Sequence, residues 1–349
     1  MTVDLSRHRL DHGECHRRRS IDMIISRTPF RISFFGGGTD YPAWFHAHEG
    51  AVISTTFDKY CYVTCRKLPP FFEHKYRIAY SKVENVCHVD EIEHRAVRAV
   101  LQEYRVEDGL EIHCDADLPA RSGLGSSSSF VVGMLNAIRA LRGERSGKDW
   151  LSKEAIRIEQ QVLAETVGCQ DQVAAAFGGF NIYRFRNGAD IAVEPLVISS
   201  DRKTELNDHL MLFFTGFSRI ASEVAKDQVA NVGSRVDELR RMRSMVDEAY
   251  DLLASRRDVR GIGTLLHEAW KLKRTLSRHI TTSEIDSIYD RACDAGALGG
   301  KLLGAGAGGF MLLFVEPKHH RKVSDALTDL INVPFRFEDT GSQIVYYRP

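Results

Sequence analysis

No stretch of this sequence approaches the ~20 consecutive apolar residues of a membrane-spanning helix, so no transmembrane segment is expected. Excess charge of one sign is missing too. The 47 Lys and Arg balance 47 Asp and Glu, which argues against nucleic acid or a membrane surface as partner. Seven cysteines, an odd number spread over 349 residues, read as reduced thiols in a cytoplasm. Neither a second cysteine pair nor spaced histidines join Cys61 and Cys65 to make a zinc site. Residues 1–22 hold Arg7, Arg9 and Arg17 to Arg19 but no signal-peptide apolar core, and they read as a disordered extension. Familiar catalytic signatures are absent as well. Gly296 to Lys301 lacks the spacing and the Ser/Thr of a P-loop, and Gly304-Ala-Gly306 runs into a strand instead of opening a helix. There is no Gly-x-Ser-x-Gly elbow, no His-Glu-x-x-His and no protein-kinase motif.

What is present is an ordinary globular composition, 43% hydrophobic and 27% charged, in a chain long enough for two domains. Strands are expected at 23–35, 51–66, 76–80, 110–114, 178–185, 210–214 and 310–315, with two short ones at 333–337 and 344–347. Helical spacing marks 91–104, 130–141, 152–168, 218–254, 262–277, 284–294 and 321–330. This mixture predicts an α+β fold, divided here into 23–200 and 201–349.

The most informative stretch is Leu118-Pro-Ala-Arg-Ser-Gly-Leu-Gly-Ser-Ser-Ser-Ser129, between a strand and an amphipathic helix. Helix N-termini present unpaired N–H groups and a positive dipole end, glycines let the backbone close on a ligand, and serine hydroxyls bind phosphate oxygens or magnesium. The plainer alternative is a flexible Gly/Ser linker, though a linker would not normally run straight into an amphipathic helix. A second glycine cluster, Gly36-Gly-Gly38, precedes Thr39 and Asp40 and is explained equally by a plain turn. A third is Gly304-Ala-Gly-Ala-Gly-Gly309.

Three segments together resemble the GHMP small-molecule kinases, the group of galactokinase, homoserine kinase, mevalonate kinase and phosphomevalonate kinase. They are Pro29 to Tyr41, Pro119 to Ser129 and Lys301 to Phe310, in the family's order. Finer features, Gln170-Asp-Gln172, Phe177-Gly-Gly-Phe-Asn181 and Leu266 to Arg274, are similar to the branch that phosphorylates D-glycero-D-manno-heptose 7-phosphate at its anomeric carbon. The resemblance implies a ribosomal-protein-S5-like N-terminal domain with a left-handed βαβ crossover, against the usual right-handed rule, and a ferredoxin-like C-terminal domain.

It also implies ATP and Mg2+, and a small sugar or sugar phosphate as acceptor, in a monomer or homodimer. Pro119, Arg121, Ser122, Gly123, Leu124, Gly125 and Ser126 to Ser129 would wrap the triphosphate. Ser127 and Glu159 match the family's metal ligands, with Glu165 as rival. Asp171 matches the catalytic aspartate, and Arg31 the arginine that stabilises the transferring phosphoryl group. Gly37, Gly38, Thr39, Asp40, Gly306 and Gly308 would face the acceptor. A phosphorylated acceptor needs cations, for which Arg219, Lys226, Lys271, Lys273 and Arg274 are candidates. Each has a plainer alternative: a helix N-cap for Asp171, a solvated helix position for Glu159 and the charged run, a surface strand for Arg31. The implied product is a sugar 1-phosphate that feeds nucleotide-activated heptose. A fucokinase- or galactokinase-like enzyme, and a non-catalytic sugar sensor on the same fold, are the rivals.

Overall fold

The computed structural model describes residues 23–69, 71–120, 122–187, 190–216, 221–255 and 257–348. The extension expected over 1–22, and the candidate site residues Arg121 and Arg219, lie outside these. β1 (Met23–Phe35) buries alternate residues up to Thr28 and every residue from Pro29 onward, so its far half is covered on both faces. A glycine turn and the single-turn α1 (Pro42–Phe45) lead into β2 (Gly50–Lys67), antiparallel to β1 along nearly its whole length. Then come β3 (Tyr76–Ala79), β4 (Val83–Val86), α2 (Arg95–Glu103) and β5 (Leu110–Ala116). β5 pairs antiparallel with the second half of β2 and parallel with β3, the latter joined to it through β4 and α2.

α3 (Ser126–Leu141) packs on β1 and β2. The approach is close: Ser26 Oγ donates to the Gly133 carbonyl at 2.8 Å, and a Cβ on Gly133 would stand 2.9 Å from Thr28 Oγ1. The helix expected over 152–168 is different in form. α4 (Lys148–Arg157) widens into a π-turn at Ile158–Val162, with Leu163 N donating to Ile158 O at 2.8 Å. The expected turn at 169–172 is the start of α5 (Gln170–Phe177), drawn into a helix by the buried run Val173 to Ala176. β6 (Phe180–Arg186) pairs with the first half of β2 and with β7 (Asp190–Pro195).

The second half holds α6 (Ser200–Asp208), β8 (Leu210–Phe214), α7 (Ala221–Asn231), α8 (Val236–Ala254), α9 (Arg260–Thr275) and α10 (Ser283–Asp294). β9 (Ala297–Leu302), β10 (Phe310–Val315), α11 (His320–Ala326) and β11 (Ile331–Asn332) follow. The order β11-β8-β10-β9, antiparallel throughout, is ferredoxin-like. Lys301 and Leu302, which open the third family-like segment, are strand residues. Glycine serves that strand because α9 crosses it closely: a Cβ on Gly299 would stand 2.0 Å from the Gly263 carbonyl oxygen.

The last strands, β12 (Phe337–Glu338) and β13 (Gln343–Arg348), go back to the first sheet, β12 onto β2 and β13 onto β1. Residues 337–348, grouped by the sequence reading with the second half, thus complete the first sheet. The protein is a two-domain α+β fold, and each of its two apolar clusters draws side chains from both sheets. Among the described residues no helix is long and apolar enough to cross a membrane.

Candidate active site

The loop between β5 and α3 turns on two glycines in the left-handed region, Gly123 at φ 84° and Gly125 at φ 75°. Gly125 is the N-cap of α3 and has no side chain of its own with which to cap the first turn. Ser126 is half-buried and Ser127 exposed, whereas Ser128 and Ser129 point inward. Ser129 Oγ donates to Pro29 O at 3.0 Å. Leu124 is an anchor in the core whose carbonyl accepts from Arg31 N at 3.3 Å, and Pro119 is exposed. Ser122 is fully buried with its hydroxyl unpartnered among the described residues.

Beneath this loop, Arg31 on β1 meets Asp171 in the first turn of α5. Nε donates to Oδ1 at 2.8 Å and Nη2 to Oδ2 at 3.0 Å, while Nη1 donates to Gly123 O at 2.7 Å. The arginine side chain is 4% exposed and the aspartate 26%, so only the carboxylate opens on the cleft. Glycine is required above it, since a Cβ on Gly125 would lie 3.2 Å from Asp171 Oδ2.

The π-turn buries Glu159 completely. Oε2 accepts from Ser128 Oγ at 2.8 Å and from Gln172 Nε2, and Oε1 has no partner among the described residues. Burial pushes this carboxyl up to about 7, against the two hydrogen bonds that favour its ionised form. The serine touching Glu159 is therefore Ser128, next to the expected Ser127. One buried carboxylate with a free oxygen, beside hydroxyls on a helix's first turn, is a hard-oxygen set that suits Mg2+, which takes few protein ligands and completes its shell with phosphate and water.

The glycine turn after β1 is pinned by Thr39, whose hydroxyl contacts the Gly36 and Ala51 carbonyls at 2.8 and 3.0 Å. Asp40 accepts from Gly38 N at 3.0 Å through Oδ1, and from Gln170 Nε2 at 3.0 Å and Gln170 N at 3.3 Å through Oδ2. Its burial, and next the Asp171 charge, push the Asp40 carboxyl above its ordinary range. Thr39 and Asp40 thus hold the turn and the entry to α5 together, leaving Gly37 and Gly38 half-buried at the surface of the cleft.

The third glycine loop stands against the first: a Cβ on Gly304 would be 2.4 Å from Gly123 Cα, and one on Gly309 2.1 Å from Ser122 O. Gly306 has φ 136° beside Ile280, and Gly308 φ 150°. Of the candidate cations, Lys273 alone among the described ones is buried here, donating to Leu302 O at 3.0 Å and to Gly304 O. Arg274 is paired with Asp286 at 2.9 Å, and Lys226 and Lys271 are exposed. A further buried cation, Lys301, was not expected here. Its signal in the sequence is that it is the sole charged residue in 296–315.

Residues 92–179 match the GHMP kinases N terminal domain and 249–332 the GHMP kinases C terminal domain. The chain is 31% identical over 315 residues to the D-glycero-alpha-D-manno-heptose 7-phosphate kinase of Campylobacter jejuni, covering 87% of this chain and 93% of that one. The chain belongs to the GHMP kinases. As a GHMP kinase it uses ATP as phosphoryl donor. A crystal structure of a D-glycero-D-manno-heptose 1-phosphate kinase from Bacteroides thetaiotaomicron superposes with TM-score 0.76 at 26% identity, covering 93% of this GHMP kinase and all (100%) of that chain. A galactokinase of Pyrococcus furiosus is 24% identical over 343 residues, with 87% and 92% of the two chains covered.

Proposed function

We propose that this kinase transfers the γ-phosphoryl group of ATP to the anomeric hydroxyl of a sugar, and that the sugar is D-glycero-D-manno-heptose 7-phosphate, giving the 1,7-bisphosphate used in nucleotide-heptose synthesis in the cytoplasm. The observation that carries the reading is the Arg31–Asp171 pair set directly under the Gly123–Gly125 bend at the N-terminus of α3. The likeness to heptose phosphate kinases supports the choice of acceptor.

In this reading the N–H groups of the first turn of α3, with the Ser126 and Ser127 hydroxyls, bind phosphate oxygens. Each Asp171 oxygen accepts one arginine hydrogen bond and keeps a lone pair. The half-open carboxylate orients the acceptor hydroxyl and takes its proton as the O–P bond forms. Arg31 fixes the carboxylate through a fork of two hydrogen bonds and adds fixed positive charge beside the transferring group. Glu159 and a first-turn serine would hold magnesium, which supplies charge neutralisation on the phosphates when bound. Gly37, Gly38 and the 304–309 loop form the acceptor wall.

A panel of sugars and sugar phosphates, offered with ATP and Mg2+ and read as ADP release, tests this. Release with heptose 7-phosphate, and a product phosphate at C1 by NMR, is expected. Release with neutral hexoses alone would replace the acceptor, and no release with any acceptor would favour a sensor.

A further inference from the structure

Two lysines are buried in the cleft with no carboxylate within ion-pair distance among the described residues. Lys301 on β9 is 5% exposed and donates to Phe34 O at 2.9 Å; Lys273 on α9 is 6% exposed and donates to Leu302 O and Gly304 O. An ammonium has three donors, so Lys301 keeps two unspent and Lys273 one. Beside Gly37, the Ser33 hydroxyl and Gln170 Oε1 are buried without partners among the described residues, and Ser33 precedes the residue that Lys301 holds.

The charges facing the pair are Arg31 from β1, which carries Asp171 of α5 as its ion-pair partner, and Asp40 from the glycine turn. Arg31 is already matched by Asp171. Asp40 is left for two lysines, so with all groups ionised three cations face two carboxylates, an excess of one positive charge. Taking an unpaired ammonium out of water is costly, and burial pushes Lys273 down to about 7 and Lys301 well below its ordinary range. Such an arrangement is incomplete until an anion enters.

We propose that Lys301 and Lys273 form a buried subsite for a phosphoryl dianion, with Lys301, through its spare donors, the group that grips it. The ligand is a phosphate ester, either the acceptor's own phosphate or the terminal phosphate of the nucleotide. This rests on the kinase reading above and deepens it by placing a residue that the family motifs left without a role. Arrival of the dianion supplies the missing negative charge, so a lysine that is neutral in the empty site takes up a proton.

Isothermal titration calorimetry of the full chain at pH 8, in buffers of different ionisation heat, reads that proton directly. Heptose 7-phosphate, Mg-ATP and neutral heptose are each titrated alone, so no turnover occurs. Near pH 8 a phosphate monoester, with a second pKa of about 6, is already a dianion and contributes no proton itself. Uptake of a proton is expected with at least one phosphorylated ligand and not with neutral heptose. Lys301→Met should abolish it and weaken that ligand about ten- to a hundredfold. Lys301→Arg, a cation that stays protonated, should keep most of the affinity and lose the uptake. Uptake with the sugar phosphate identifies the acceptor's phosphate as the occupant, and uptake with the nucleotide alone identifies the transferred group. Buffer-independent heats with both phosphorylated ligands, no binding of either, or unchanged affinity and uptake in a Lys301→Met protein that melts like wild type would overturn the proposal. Failure of the acceptor panel alone leaves the nucleotide arm of this test standing.

Discussion

Arg31 grips Asp171 with two hydrogen bonds of 2.8 and 3.0 Å and, with its remaining terminal nitrogen, holds the Gly123 carbonyl at 2.7 Å. One guanidinium therefore positions both the proposed proton acceptor and the bend that would hold the nucleotide, across 140 residues of sequence.

Asp171→Asn should leave the fold and nucleotide binding in place and lower kcat about 10²- to 10⁴-fold, the range spanned by a general base. Steady-state kinetics beside a nucleotide titration checks this. A variant turning over near the wild-type rate would remove Asp171 from the reacting atoms.

Gly123→Ala should destabilise the protein by about 2–4 kcal/mol, from a left-handed backbone position and a methyl group driven into its neighbours. The added Cβ would sit 2.5 Å from Leu303 O. Urea unfolding measures the loss, and the nucleotide KM should rise with it. An unchanged midpoint would mean that the two glycine loops are not packed as described.

The ligand-free protein should show opposed pH slopes from two buried groups. Glu159 rises from 4.5 to about 7, so the folded chain keeps a proton that the unfolded chain gives up, and stability falls as pH climbs through that interval. Lys273 drops from 10.5 to about 7, so the unfolded chain keeps the proton and stability recovers as pH climbs from there. The Glu159 effect is worth roughly 3 kcal/mol at most and the Lys273 effect roughly 5 kcal/mol. Glu159→Gln should reduce the acid slope and Lys273→Met the alkaline one, leaving what Asp40 and Lys301 contribute in the same directions, read as unfolding free energy between pH 4.5 and 10. Curves parallel to wild type in both variants would show that neither group is buried in its ionisable form.

Arg274→Ala should leave the acceptor KM within about twofold and change stability by no more than about 1 kcal/mol, because its charge is spent on Asp286 at the edge of the protein. A rise of tenfold or more in KM would place Arg274 on the acceptor after all.

Much of the local structure was legible in the sequence. The strands at 23–35, 210–214 and 310–315 fall where the apolar patterns put them, as does the helix after the serine loop. Arg31 and Asp171 could be singled out only through family motifs; nothing local in either segment says that they touch. The π-turn at Ile158–Val162 was not legible, since one extra residue in a turn leaves the apolar spacing nearly unchanged. That turn accompanies the full burial of Glu159, which meets Ser128 rather than Ser127. Lys301 was overlooked because it lies among glycines read as loop, and only tertiary packing makes its charge conspicuous. Of the charged runs, Lys226 and Lys271 are exposed and Arg274 is paired with Asp286, placements that the sequence alone did not separate from that of buried Lys273.

β13 closes the open flank of β1, with Met23 aligned on Arg348 and Arg27 on Gln343. The ribosome must therefore emit residues 343–348 before β1 gains that neighbour. Until then an unpaired strand edge waits beside the nascent active centre, open to pairing with another chain. Expressing 23–200 alone would make that waiting permanent, and such a fragment should aggregate where the intact chain does not.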